Sequence, residues 1–286
     1  MAELLKGKAV AEAIGLRSIE GVNQLKENGI SPTLALFRVG NREDDVSYER
    51  GAMKRCAETG VEVIRYIFDE DVSEEEFYQS LEDANRNDAI HGILVFRPLP
   101  KRFNDEKLRN SIRPEKDVDG CSDLSLAGVF TDKELGFAPC TAQSVIEMLD
   151  RYQIGLKGKN VAVIGRSLVI GKPVSMLLLK RNATVTICHS RSTDLTAIAS
   201  RADILVCATG KAEMIDRSYT NPKQIIIDVG ISWNDEKQKL CGDVLFDDVA
   251  DHVSAISPVP GGIGSVTTAV LVSHVVEAAL RKNKIK

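Results

Sequence analysis

The chain has 286 residues, 43% of them hydrophobic, which is enough apolar material for two ordinary cores. Charged residues make up 27% and the formal net charge is −4, so no basic field exists to hold a polyanion, and nucleic acid is excluded as a partner class. No apolar run is expected to span a membrane, and Met1 to Lys8 lacks the long apolar stretch of a signal peptide, which points to a cytoplasmic protein with no membrane partner.

In chain order, the first half predicts a helix from Ala9 to Glu27, a strand from Thr33 to Val39, a helix from about Ser47 to Thr59 and a strand from Glu62 to Tyr66. An acidic helix from Ser73 to Asn87 and the apolar strand Gly92 to Val95 follow, then the turn-rich Arg97-Pro98-Leu99-Pro100. This alternation requires crossovers and hence a parallel sheet. Lys101 to Pro139 reads as polar and irregular, and Thr141 to Tyr152 as a helix near the main boundary. Beyond it, strands are expected at Val161 to Ile164, Thr184 to Ile187, Ile204 to Cys207 and Ile225 to Val229, with helices near Pro173 to Arg181 and Leu195 to Ser200. A last helix, Val266 to Lys282, is free to return to the first domain. The six cysteines are scattered, with no C-x-x-C pair and no histidine at ligand spacing, so they read as reduced packing thiols and no metal is expected.

The strand ending at Gly165-Arg166-Ser167, with a helix opening near Gly171-Lys172-Pro173, can turn backbone N–H groups and a helix N-terminus toward a pyrophosphate. The spacing from Gly165 to Gly171 departs from G-x-G-x-x-G, and a plain strand-to-helix turn fits the same residues. The next strand ends at Cys188-His189-Ser190-Arg191-Ser192, without the carboxylate that an NAD site places on the ribose 2′-hydroxyl. Ser190 and Arg191, with Arg166 as a second cation, suit a 2′-phosphate, so NADP is expected rather than NAD. The alternative makes Ser190 and Arg191 a hydrated strand end, and His189 is read as a solvent-edge histidine. The loop Ser257-Pro258-Val259-Pro260-Gly261-Gly262 pairs stiff prolines with glycines that permit close approach to a ligand, or equally makes a rigid connector.

Gly165-Arg166-Ser167, Gly171-Lys172-Pro173, Thr184 to Ser190, Ile227-Asp228-Val229-Gly230-Ile231, Gly242-Asp243-Val244 and Pro258 to Gly262 together resemble the methylenetetrahydrofolate dehydrogenase/cyclohydrolase family of folate one-carbon metabolism. The resemblance continues through Val39-Gly40-Asn41-Arg42, Tyr48, Lys116-Asp117-Val118-Asp119-Gly120 and Pro139-Cys140-Thr141, so it spans nearly the whole chain. It implies two α/β domains with a folate cleft between them: a catalytic domain over 1–145 rejoined by a helix over 265–286, and a Rossmann-like NADP-binding domain with a mainly parallel sheet over 146–264. It also implies a homodimer, a tetrahydrofolate derivative as substrate and a place in tetrahydrofolate interconversion and purine biosynthesis. By match, Gly165, Arg166, Ser167, Ser190 and Ile231 contact NADP, and the reading of the turn and the strand end adds Gly171 and Arg191. Tyr48, Asp119, Pro260, Gly261 and Gly262 line the folate site, with Tyr48 and Asp119 as its catalytic pair. From the residues alone, Tyr48 equally reads as a core-filling aromatic and Asp119 as a carboxylate that turns its loop.

The sequence departs from the family where hydrolysis needs it most. The lysine expected four residues after the tyrosine is Ala52, and the glutamine of Val-Gln-Leu-Pro is Phe96. Lys54 falls on another helix face, and the guanidinium of Arg55 stays protonated and makes a poor base. Asp45, Ala142, Ser144 and Ser265-Val266 are lesser departures. Hydride transfer from 5,10-methylenetetrahydrofolate to NADP needs mainly positioning, whereas hydrolysis of the methenyl product needs a placed base. The expectation is a dehydrogenase with a weak or lost cyclohydrolase step. A fully bifunctional enzyme and a non-catalytic NADP- or folate-binding protein are the alternatives.

Overall fold

The computed structural model describes residues 2–234 and 237–285. The chain opens with strand β1 (Glu3–Leu4) and helix α1 (Gly7–Glu27), then alternates β2 (Thr33–Val39), α2 (Glu43–Thr59), β3 (Glu62–Phe68), α3 (Glu74–Arg86) and β4 (Gly92–Val95). Two short helices, α4 (Asp105–Ser111) and α5 (Asp123–Thr131), occupy the stretch expected to be irregular, and α6 (Cys140–Arg151) follows. Asn104 and Ser122 cap these helices by accepting from Lys107 N–H and Ser125 N–H, satisfying donors that a seven- or nine-residue helix otherwise leaves open. Next come β5 (Asn160–Ile164), α7 (Gly171–Lys180), β6 (Thr184–Cys188), α8 (Leu195–Arg201), β7 (Ile204–Cys207) and β8 (Ile225–Asp228). The hairpin β9 (Ser232–Asn234) and β10 (Lys239–Cys241), α9 (Phe246–Val249), β11 (Ala255–Ile256) and α10 (Ile263–Lys282) complete the order.

These elements form two compact units: Glu12–Cys140 with Thr268–Lys286, and Met1–Ala11 with Thr141–Thr267. The first eleven residues were expected in the first domain. They belong to the second because Glu3 and Leu4 pair in parallel with Ala255 and Ile256, a two-residue strand too short to show periodicity.

In the first unit β2 lies between β3 and β4, all parallel, and every β2 residue is buried. Such a strand must be apolar on both faces. Its charged exception is Arg38, whose Nε lies 2.6 Å from Glu49 of α2, while Arg65 Nε reaches the other Glu49 oxygen at 2.6 Å. Deleting Glu49 strands the buried Arg38 charge, a loss of about 3–5 kcal/mol by analogy with other buried pairs. On the same sheet Phe37 stacks on Tyr66 at 4.3 Å. A Cβ on Gly21 would come within 2.6 Å of Val276, and one on Gly92 within 3.0 Å of Val275, so these glycines admit α10 against α1 and β4. By length and composition α10 is apolar enough to cross a membrane, contrary to the expectation from sequence. Its most apolar window is 67% buried, as befits a helix enclosed by the core.

The second unit holds a six-stranded parallel sheet in the order β1-β11-β8-β7-β5-β6. From β5 the chain first adds β6 on one side and then β7 on the other. That reversal is a topological switch point, where doubly wound sheets bind ligands beyond the carboxyl ends of their strands.

Candidate active site

Gly165 ends β5 at this switch point with φ +140°, and a Cβ there would lie 2.3 Å from the Ala208 carbonyl oxygen. A Cβ on Gly171 would lie 2.2 Å from the Gly165 carbonyl oxygen. The turn therefore closes only with glycine at both ends. Within it, Ile170 N–H donates to Ser167 Oγ at 3.1 Å and Lys172 N–H to Ser167 O at 3.0 Å. Ile170 gives α7 no side-chain cap, so the helix end keeps its dipole, with the Gly171 N–H at its first position, for an anion. Arg166 and Ser167 are exposed beside it. This combination fits a dinucleotide pyrophosphate, which only a backbone without side chains can approach closely.

After β6, His189 N–H donates to Ser192 Oγ at 2.9 Å and Arg191 N–H donates to His189 Nδ1 at 3.2 Å. The histidine thus serves the turn itself, leaving the side chains of Ser190 and Arg191 exposed. Ile231, 61% exposed, follows β8.

Two aspartates brace the neighbouring loops. Asp228 accepts from the backbone N–H groups of Gly230, Asp243 and Val244 at 3.0–3.1 Å, and Asp243 accepts from those of Thr209 and Gly210 just beyond β7. Cβ atoms on Gly230 and Gly242 would collide with the Asp243 and Asp228 carboxylates. Burial pushes Asp228 up to about 7, against the pull of its three backbone donors. The glycine-aspartate segments are visible in the sequence, but their mutual support is not.

The loop Pro258 to Gly262 belongs to the same unit. Gly7 N–H donates to Gly261 O at 2.9 Å, and a Cβ on Gly7 would meet the Gly262 carbonyl oxygen at 2.1 Å. A Cβ on Gly262 would lie 2.5 Å from the Pro258 carbonyl oxygen, so this glycine of the loop serves close packing, and Val259-Pro260 is cis.

The first unit gathers the other predicted residues. Tyr48 on α2 meets Phe96 edge to face, with ring centroids 5.7 Å apart. Burial, then the neighbouring Asp119 carboxylate, hold its phenol well above the ordinary range. Asp117, fully buried, accepts from Cys121 N–H, Ser122 N–H and Ser125 Oγ at 2.7–3.0 Å. It is Asp117 that turns the loop, so Asp119 is spared that task. The loop is pinned further by Val118, whose carbonyl accepts from Cys140 Sγ at 3.1 Å and from His274 Nδ1 at 2.8 Å. Burial pushes Asp119 up to about 6, Arg97 draws it back down and Asp117 opposes that. Arg97 was not foreseen from sequence. Its guanidinium lies 3.6 Å from Asp119 and 3.5 Å from Asp105. Ala52 is fully buried and Phe96 nearly so. Lys54 and Arg55 both pair with Glu58, and Lys54 is 79% exposed.

Residues 5–119 match the model of the tetrahydrofolate dehydrogenase/cyclohydrolase catalytic domain, and residues 139–283 that of the family's NAD(P)-binding domain. The chain belongs to the tetrahydrofolate dehydrogenase/cyclohydrolase family. It is 48% identical to the Bifunctional protein FolD of Clostridioides difficile (strain 630), over 99% of this chain and 98% of that one. Among solved structures it is similar to the bifunctional FolD methylenetetrahydrofolate dehydrogenase/cyclohydrolase of Campylobacter jejuni, with a TM-score of 0.95 and 34% identity over 99% of this chain and all of that one. It is also similar to the Trypanosoma brucei FolD solved with NADP cofactor and inhibitor, with a TM-score of 0.92 and 30% identity over 99% of each chain. Ala52 is buried on the helix that carries Tyr48, and the Phe96 ring is seated on Tyr48.

Proposed function

We propose that this family member oxidises 5,10-methylenetetrahydrofolate to the methenyl form with NADP and carries the hydrolytic step weakly or not at all. NADP, when bound, supplies the hydride acceptor. Ser167 and Gly171 would offer backbone N–H groups to its pyrophosphate, Gly165 would let it approach closely for want of a side chain, Arg166, Ser190 and Arg191 would meet its 2′-phosphate, and Ile231 would give an apolar contact. Tyr48 stacks on the folate, Asp119 accepts hydrogen bonds from pterin N–H groups, and Pro260, Gly261 and Gly262 form a further wall. The substrate's own nitrogen lone pair drives hydride departure, so these residues act by holding and orienting it.

The observation that carries the loss of hydrolysis is the pair Ala52 and Phe96: one offers no base, and the other sets an apolar ring against Tyr48. Attack of water on the methenyl carbon needs a group to move protons; Lys54 is turned to solvent and the guanidinium of Arg55 stays protonated. NADPH and methenyltetrahydrofolate are followed separately during turnover, with accumulation of the methenyl product expected; enzyme-dependent hydrolysis of added methenyltetrahydrofolate at the rate of its formation would sink the proposal. The bifunctional names of the relatives favour the competing reading, which that second outcome supports.

The proposal extends to a cytoplasmic homodimer. Strand β3 lies at the edge of its sheet with Ile64 and Ile67 39% and 41% exposed, a form of edge that a second copy can cover. Light scattering should give twice the chain mass, reduced by Ile67→Lys; a monomer at working concentration refutes it.

A further inference from the structure

Arg97 stands where the family pattern has leucine, immediately after the phenylalanine that replaces glutamine. Its guanidinium is 19% exposed and spans two carboxylates, Asp105 at the start of α4 and Asp119. A planar fork anchored at two points has a fixed orientation, which a single flexible contact does not provide.

We infer that Arg97 is a positioning residue of the dehydrogenase site, holding the Asp119 carboxylate as the anion to which a reduced pterin docks, and that it is the cation of a site whose lysine position is Ala52. The inference rests on the dehydrogenase reading above. Its chemistry follows from what surrounds Asp119. Asp117 and Cys121 come from its own loop, Cys140 from α6, Tyr48 from α2 and Arg97 from the end of β4. Among these groups Arg97 is the one cation. Burial and Asp117 both favour a protonated Asp119, which would have one acceptor oxygen fewer to offer a pterin edge of N–H donors. Asp117 cannot take its place, being committed to three donors of the loop.

The exchange of lysine for arginine also changes what the cation can do. A lysine ammonium can release a proton and return as a base, whereas a guanidinium stays charged throughout the working range. The site therefore retains a positive charge for binding while lacking a group that could assist attack by water. On this reading the positive charge beside Asp119 is carried at position 97, and hydride transfer needs no more than that.

The test is Arg97→Leu beside Arg97→Lys, with steady-state kinetics from pH 5 to 9 and calorimetric titration of tetrahydrofolate in the absence of NADP. Removing the opposing charge should move the pH at which KM turns upward by about one to two units, and raise KM for the folate at pH 7 about 5- to 10-fold. The kcat should change less than about 2-fold, because the bound pair still reacts by orientation. Tetrahydrofolate affinity should fall in parallel, and Arg97→Lys should restore most of both. An NADP affinity equal to that of the unsubstituted protein shows that the variant is folded; if Arg97→Leu does not fold, Arg97→Gln serves in its place. Unchanged KM and pH profile, or a fall in kcat with KM constant, overturns the inference. Absence of NADP-dependent oxidation in the unsubstituted protein instead defeats the functional reading on which it rests.

Discussion

The two units build their sites from different materials. In the second, the turn we propose for the dinucleotide is made of backbone: Gly165 and Gly171 have no room for a Cβ, and Asp228 and Asp243 brace the adjoining loops through main-chain N–H groups. In the first, Tyr48, Arg97 and Asp119 project side chains from elements that keep their shape whichever side chain they carry. A site made of backbone cannot change without altering the fold. One made of side chains can lose a reaction by two substitutions, which is what we propose for Ala52 and Phe96.

The sharpest attempt to break this comparison is Gly171→Ala. Its methyl meets a carbonyl oxygen rather than the end of a flexible side chain, so NADP affinity and turnover should fall by about 100-fold or more. Fluorescence titration with NADPH measures the first effect, and unchanged affinity would show that this turn is not the cradle. Asp119→Asn tests the side-chain half: it exchanges a charged acceptor for a neutral amide, and KM for the folate should rise about 30-fold while NADP affinity stays constant. The same carboxylate predicts a pH effect. With Asp119 near 6, ionisation is nearly complete at pH 7 and slight at pH 5, so KM should fall about 10-fold as pH rises between them. A profile that runs the other way means that the protonated form binds. The smallest effect belongs to Arg191→Ala, which should reduce the preference for NADP over NAD about 5-fold, read as the ratio of kcat/KM values.

Much of the fold was legible because turn residues bound the strands. Gly92 to Val95 and Ile204 to Cys207 are continuous apolar runs, and both emerge as buried strands with the expected limits. The helices α4 and α5 were missed because two turns are too short for an amphipathic period, while their caps look like ordinary loop residues. At the nucleotide site, glycine spacing and the missing acid near Ser190 mark local backbone geometry, which a sequence displays directly. The division of labour between Asp117 and Asp119 and the pairing of Arg97 with Asp119 depend on contacts that the loop creates in space. An arginine directly after Phe96 is visible in the sequence, but its meaning needed the partner.

The pairing of Glu3 with Ala255 bears on how the molecule is made. A ribosome delivers that edge strand about 250 residues before its neighbour, so the second unit cannot close its sheet until the first unit's central portion, Glu12–Cys140, has already emerged. Assembly during synthesis thus favours the intervening unit forming while the opening strand waits. A permuted chain that moves residues 2–11 next to the end of the second unit would remove that wait, making the order of birth an adjustable property of this architecture.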